Sequence, residues 1–439
     1  LWHLRTVVAF AGLPLLAVSG PVLGMTQMDR RTFLAAPLFT AVGAYVQPAL
    51  SAARTPDFWE SVAQDYDVTQ DVLNLENGNW GVMAKPVLRA YEGHVARVNQ
   101  VNSYYVRRTF WGDVQRILAR LAALLGIKPD EIALTRNATE AMQALILGYR
   151  KLGQGDTVLY ADLDYGSMQQ AMEALARRRR ATCIKLSVPQ NPTHQGLIDF
   201  YIRAMEANPR VKLLLLTHIS HRTGLQMPVT QITAAAKARG VGVIVDAAHS
   251  WGQVEMTVPS LGADFVGLNL HKWMGAPLGV GLMVIRKERL DDIAPHPLAA
   301  PNEYGTVSGR IHTGTMNYAA ILAIADALEY HLAIGAKRKA QRLAALRMRW
   351  VSQVAGHSKM TLLTPLKDAR LSAGITALRV ADVPADALAR RLLEEHGIFT
   401  VKRTGIAAGD AVRITPALYN SMADMDRCAA ALLAIADSS

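Results

Sequence analysis

The 439-residue sequence predicts an α/β fold, with a large domain on a mostly parallel sheet followed by a small α+β domain. Apolar runs at 132–135, 157–160, 211–217, 241–245, 265–268 and 280–285 recur between helical stretches. Those at 211–217 and 241–245 are almost continuously apolar, as parallel strands covered on both faces are. After residue 337 the pattern changes. A helical segment over 337–354 gives way to strand-like pieces at 374–380, 398–402 and 411–415, with helices at 385–396 and 422–436. A chain of this length with 51% hydrophobic residues can bury two cores.

Composition excludes several function classes. The formal net charge of +11 raises the question of nucleic acid, but Lys and Arg are scattered. The one dense run, Arg177 to Arg180, closes a helix expected to begin near Ser167, where cations complement the helix dipole. We therefore expect no nucleic-acid partner. Cys183 and Cys428 form neither a disulfide framework nor a metal set, and no His/Cys cluster has zinc spacing, so no metal is expected. Fixed-period repeats and a GxGxxG nucleotide fingerprint are both missing.

Residues 1–53 read as an N-terminal export signal. Asp29-Arg30-Arg31-Thr32-Phe33-Leu34 precedes an apolar run over 35–50 and the small residues Ser51-Ala52-Ala53, the pattern of a twin-arginine (Tat) signal. The expected destination is the periplasm, with the Tat translocase as partner during export. Folded export suits a protein whose cofactor is loaded in the cytoplasm. A second apolar run at 7–24 and a first residue that is Leu fit an overextended gene start, with Met25 or Met28 the true beginning. The alternatives are a membrane anchor, since 18 apolar residues approach a span, or a cytoplasmic protein. The large domain is expected over 54–330, or with its first part joining the small domain, which covers 331–439.

The elements carry their own signals in order. Residues 73–81, Leu-Asn-Leu-Glu-Asn-Gly-Asn-Trp-Gly, are turn-rich and lead into an amphipathic helix from about Pro86. The strand at 132–135 runs into Asn137-Ala138-Thr139-Glu140, whose spacing is that of a capping box and whose free N–H groups also make an anion site. The strand at 157–160 ends in Asp162-Leu163-Asp164-Tyr165-Gly166, and that at 211–217 leads to His221-Arg222-Thr223-Gly224. Residues 241–245 end at Asp246, the edge where α/β sheets place ligands, and 265–268 lead into His271-Lys272. A strand-end acid beside a loop lysine suits a site that holds a protonated ring nitrogen and a carbonyl-reactive amine. Those are the protein's two contributions to pyridoxal phosphate chemistry.

Asp246-Ala247-Ala248-His249-Ser250 followed by Asn269-Leu270-His271-Lys272-Trp273 resembles the class V aminotransferases of the fold type I pyridoxal phosphate enzymes, and within them the isopenicillin N epimerase group. The resemblance runs, with gaps, from about residue 73 to 434. It implies a seven-stranded type of large-domain sheet, pyridoxal 5′-phosphate as cofactor, and a homodimer. Lys272 would be the amine that takes the cofactor and Asp246 the partner of its ring nitrogen. Ala138, Thr139, Asn269 and His271 would reach the phosphate, His249 the phenolic oxygen, and Tyr165 the ring face. Thr315, in Gly314-Thr315, would cap the partner subunit's phosphate. Arg413, in the R-I-T…Y-N stretch 413–420, would clamp the substrate carboxylate. Asn79 and Trp80, at the mouth, would meet substrate.

The function expected from these residues is chemistry at the α-carbon of an amino acid, epimerase-like first, with transamination or C–S/β-lyase chemistry as alternatives. The resemblance also disfavours a persulfide relay, because the loop on which the family carries its nucleophilic cysteine, here 402–410, has none. A non-enzymatic binding or sensor protein of this fold has no fused DNA-binding module to support it.

Overall fold

The computed structural model describes residues 58–439. The twin arginines, both N-terminal apolar runs and the expected signal over 1–53 lie outside the described residues.

The strands, in chain order, are β1 (Leu73–Asn74), β2 (Ile132–Thr135), β3 (Thr157–Ala161), β4 (Thr182–Leu186), β5 (Val211–Thr217), β6 (Gly242–Asp246) and β7 (Phe265–Asn269). They continue with β8 (Gly281–Ile285), β9 (Met360–Leu362), β10 (Thr376–Val380), β11 (Ile398–Phe399), β12 (Val401–Arg403) and β13 (Ala411–Ile414). Seven of them form one sheet in the order β2-β8-β7-β6-β5-β3-β4. Only β8 runs against its neighbours, β7 and β2, so the sheet is mostly parallel. Its interior strands β6, β7 and β8 are buried at every residue, which is why they read as unbroken apolar runs.

The connections fix where a ligand can sit. From β3 the chain turns outward to edge strand β4, and from β5 it turns the other way, to β6. A crevice therefore opens above the C-terminal ends of β3, β5 and β6. The helix Gly166–Arg179 follows β3 and stops at Arg180, whose φ of 53° is left-handed.

A second, antiparallel sheet has the order β12-β13-β10-β9. Residues 398–402, expected as one strand, divide between two sheets. Ile398 and Phe399 pair in parallel with β1, whereas Val401 to Arg403 pair with β13. The N-terminal β1 thus lies with the C-terminal part, and Leu73 and Leu75 share a core with Trp350, Leu392 and Leu432. The expected helix over 318–331 is two helices, Tyr318–Leu322 and Ile324–Ile334, followed by Ala336–Val354. Among the described residues no single helix is long and apolar enough to cross a membrane.

Candidate active site

One cavity gathers the strand ends: Tyr165 after β3, Thr217 and His221 at β5, Asp246 and His249 at β6, Asn269 and Lys272 at β7. The other sheet closes it with Arg403 from β12 and Arg413 from β13.

Asp246 is buried, and one carboxylate oxygen accepts the Ala248 N–H at 2.9 Å. Its other oxygen has no hydrogen-bond partner among the described residues. Burial raises its pKa, while the nearby Lys272 charge works against that rise. A cationic N–H set against this oxygen would favour the ionised form. Lys272 reaches into the same cavity, and its pKa is pushed down to about 7 by burial and by Arg413. Its Nζ lies 3.0 Å from His249 Nε2, and Trp273 Nε1–H donates to His249 Nδ1 at 3.2 Å. Burial holds His249 neutral, its pKa driven well below the ordinary histidine range.

The helix Ala138–Gly148 starts at the cavity. Asn137 caps it by accepting Glu140 N–H at 2.9 Å, while the Glu140 carboxylate returns to Arg136 N–H, one residue short of a full capping box. Asn269 Oδ1 accepts Ala138 N–H at 2.7 Å. With that bond made, the Ala138 N–H is engaged within the fold, and Asn269 can meet an anion only through its Nδ2 hydrogens. Thr139 lines the cavity, and neither its N–H nor its hydroxyl has a partner among the described residues. His271 donates Nδ1–H to Val280 O at 3.1 Å, so it presents Nε2 and would aid an anion only as the imidazolium.

From the turn-rich segment 73–81, Gly78 and Asn79 line the cavity. A Cβ on Gly78 would come within 2.6 Å of an Arg413 terminal nitrogen, and one on Gly81 would strike the Lys272 carbonyl. Both close approaches require glycine. Asn79 lines the cavity, whereas Trp80 is not among the lining residues and is 51% exposed, so it is not brought to the site. Thr315 is likewise exposed and does not line this cavity. Tyr165 lines it and packs edge-on to His221, with ring centroids 5.2 Å apart. It is positioned by Asp164, whose carboxylate accepts Ala161 N–H at 2.6 Å and the Thr217 hydroxyl at 2.6 Å.

Sequence reasoning missed Glu76 and Arg403. Arg413 is 1% exposed; one terminal nitrogen donates to His221 O at 2.7 Å and the other pairs with Glu76. Arg403 Nη2 donates to the same Glu76 oxygen at 2.7 Å. Burial lowers the Arg413 pKa to about 10, which still leaves it charged at neutral pH. Two guanidiniums around one carboxylate leave one net positive charge. The sequence signal was faint: one acid in an otherwise neutral turn segment, and basic residues opening the loop at 402–410.

These groups fit pyridoxal phosphate. An ionisable carboxylate, the unpartnered donors of Thr139 at a helix N-terminus, and a lysine whose pKa is lowered to about 7 all line the one cavity.

Comparison with known proteins agrees with this arrangement. Residues 84–428 match the family described as aminotransferase class-V. The chain is 26% identical over 394 residues to isopenicillin N epimerase of Streptomyces clavuligerus, covering 86% of this chain and 98% of that one. It is 30% identical over 282 residues to a putative L-cysteine desulfhydrase of Oryza sativa subsp. japonica, covering 59% of this chain and 57% of that one. Its fold is similar to that of an apo cysteine desulfurase from Thermococcus onnurineus NA1, with a TM-score of 0.73 and 20% identity, covering 87% of this chain and 98% of the other.

Proposed function

Because the chain belongs to the class-V aminotransferase family, pyridoxal-phosphate enzymes of fold type I that act on amino acids, we propose that Lys272 removes the Cα proton of an α-amino acid and that the reaction ends in loss of a β-substituent or in transamination. When bound, pyridoxal phosphate supplies the sink for the electron pair left at Cα. Asp246 partners the ring nitrogen, and Thr139 with the first turn of its helix holds the phosphate. Arg413 and Arg403 face the substrate's α-carboxylate, whose single charge neutralises the one left over by their pairing with Glu76.

One observation carries this reading: Lys272 enters the cavity that Asp246 and Thr139 also line, with Nζ 3.0 Å from His249 Nε2, and burial lowers its pKa to about 7, where it can take a proton and return it. Inversion at Cα needs a proton delivered from the face opposite the base. The neighbouring histidines His221 and His249 are held neutral, both driven well below the ordinary range by burial, so neither brings one. The 30% identity to a protein named as a cysteine desulfhydrase supports the same side. A thiol relay finds no nucleophile, because Cys183 and Cys428, the chain's two cysteines, do not line the cavity.

Epimerisation is the second reading, favoured by the near full-length similarity to isopenicillin N epimerase. It would require a second proton carrier opposite Lys272, for which the Tyr165 phenol lining the cavity is the candidate. Incubation with β-substituted L-amino acids such as L-cysteine in heavy water separates the two. The favoured reading gives keto acid with ammonia or with an aminated cofactor, no inverted substrate, and turnover that survives Tyr165→Phe. Deuterated substrate of inverted configuration, lost in Tyr165→Phe, would replace it with the epimerase reading.

We also propose, on the reading of residues 29–53, export by the Tat translocase to the periplasm. A homodimer in which Thr315 completes the partner subunit's phosphate site is proposed on the family resemblance.

A further inference from the structure

We propose that Trp273 is a positioning residue: its indole N–H fixes the His249 ring with the proton on Nε2, and this in turn holds the Lys272 amine in its unprotonated form. The proposal rests on the reading of Lys272 as the amine that takes the cofactor.

The argument is one of donors and acceptors. An indole N–H can only donate, so the 3.2 Å contact from Trp273 Nε1 makes His249 Nδ1 an acceptor. A neutral imidazole with a lone pair on Nδ1 carries its hydrogen on Nε2. That Nε2–H lies 3.0 Å from Lys272 Nζ, so Nζ must accept. An ammonium there would set two donors head to head. Every link is pinned. His249 is 4% exposed, and its carbonyl accepts Gln253 Nε2–H at 2.6 Å. The Trp273 backbone is packed so closely on Gly252 that a Cβ there would lie 2.6 Å from the Trp273 carbonyl carbon. The buried Lys339, from the helix Ala336–Val354, donates to Trp273 O at 2.7 Å.

The charged groups around Lys272 do not demand a further cation. Asp246 from β6 and Glu76 from the turn-rich segment balance Arg403 from β12 and Arg413 from β13, and His221 after β5 is neutral. With Trp273 removed, the His249 hydrogen is free to shift to Nδ1, leaving a lone pair on Nε2 that faces Nζ and stabilises the ammonium.

The test is the pH dependence of Lys272 acetylation by trace acetic anhydride in cofactor-free full-length protein, mapped by mass spectrometry. Trp273→Phe should raise the Lys272 midpoint by about one unit, cutting the free amine at pH 7 roughly five-fold. An unchanged midpoint in a folded variant overturns the proposal. Should the variant not fold, nitrogen-15 NMR of histidine-labelled wild type decides: a proton on His249 Nε2 supports it, and one on Nδ1 overturns it. Failure of the underlying reading shows separately, as a cofactor bond to another lysine when Lys272 is replaced by Ala.

Discussion

Glu76 and Arg413 are 337 positions apart in sequence, yet they form the most buried ion pair of the cavity wall, with side-chain exposures of 7% and 1%. No local pattern announces such a pair, because its logic is the neutralisation of two buried guanidiniums by one carboxylate. Lys272, Asp246 and His249 were legible because each follows an apolar strand run, and strand ends are where this architecture puts chemistry. The difference matters for substitution. Glu76→Gln keeps the shape and removes the charge, leaving Arg413 buried with no counter-ion. It should cost about 3 kcal/mol or more of stability, read as a lowered urea midpoint. A midpoint unchanged from wild type would mean that the arginines are not held by Glu76.

At the scale of elements, the interior strands were read almost to the residue, since a strand covered on both faces has little choice but apolar residues. Edge strand β4 has no apolar run to mark it, since Thr, Cys and Lys make up three of its five residues and none of the five is fully buried. The division of 398–402 into β11 and β12 was hidden as well. It depends on two partners, β1 and β13, that the local sequence does not name. The helix Ala138–Gly148 was anticipated from its cap, but not the bond from Asn269 at the end of β7 that fixes its first N–H. Asn269→Ala removes that acceptor and leaves the Ala138 N–H buried without a partner. We expect a loss of about 1–3 kcal/mol in unfolding free energy together with weaker retention of pyridoxal phosphate on dialysis. Full stability and full retention would show that Asn269 does not organise the helix start.

For the whole molecule, the α/β layout and the change of pattern after residue 337 were visible in sequence. The return of 73–76 to pair with the C-terminal strands is a long-range contact that no local reading of the sequence reaches. The proposed export belongs to this scale, because a Tat substrate crosses folded. Replacing Arg30 and Arg31 together by Lys should retain the protein in the cytoplasm with its cofactor loaded, as cell fractionation and the visible absorbance of each fraction would show. Equal periplasmic delivery of the double variant in a Tat-competent host would remove that reading. The proposed cofactor bond at Lys272 would give the proposed folded export its use. Lys339 is buried and its pKa is likewise lowered by burial to about 7, so the assignment of the amine has a rival inside the same fold. Borohydride reduction of the purified protein followed by peptide mapping decides between them. The account predicts a pyridoxyl group on Lys272 alone, and none in Lys272→Ala; a pyridoxyl group on Lys339 or any other lysine of the native enzyme would contradict it.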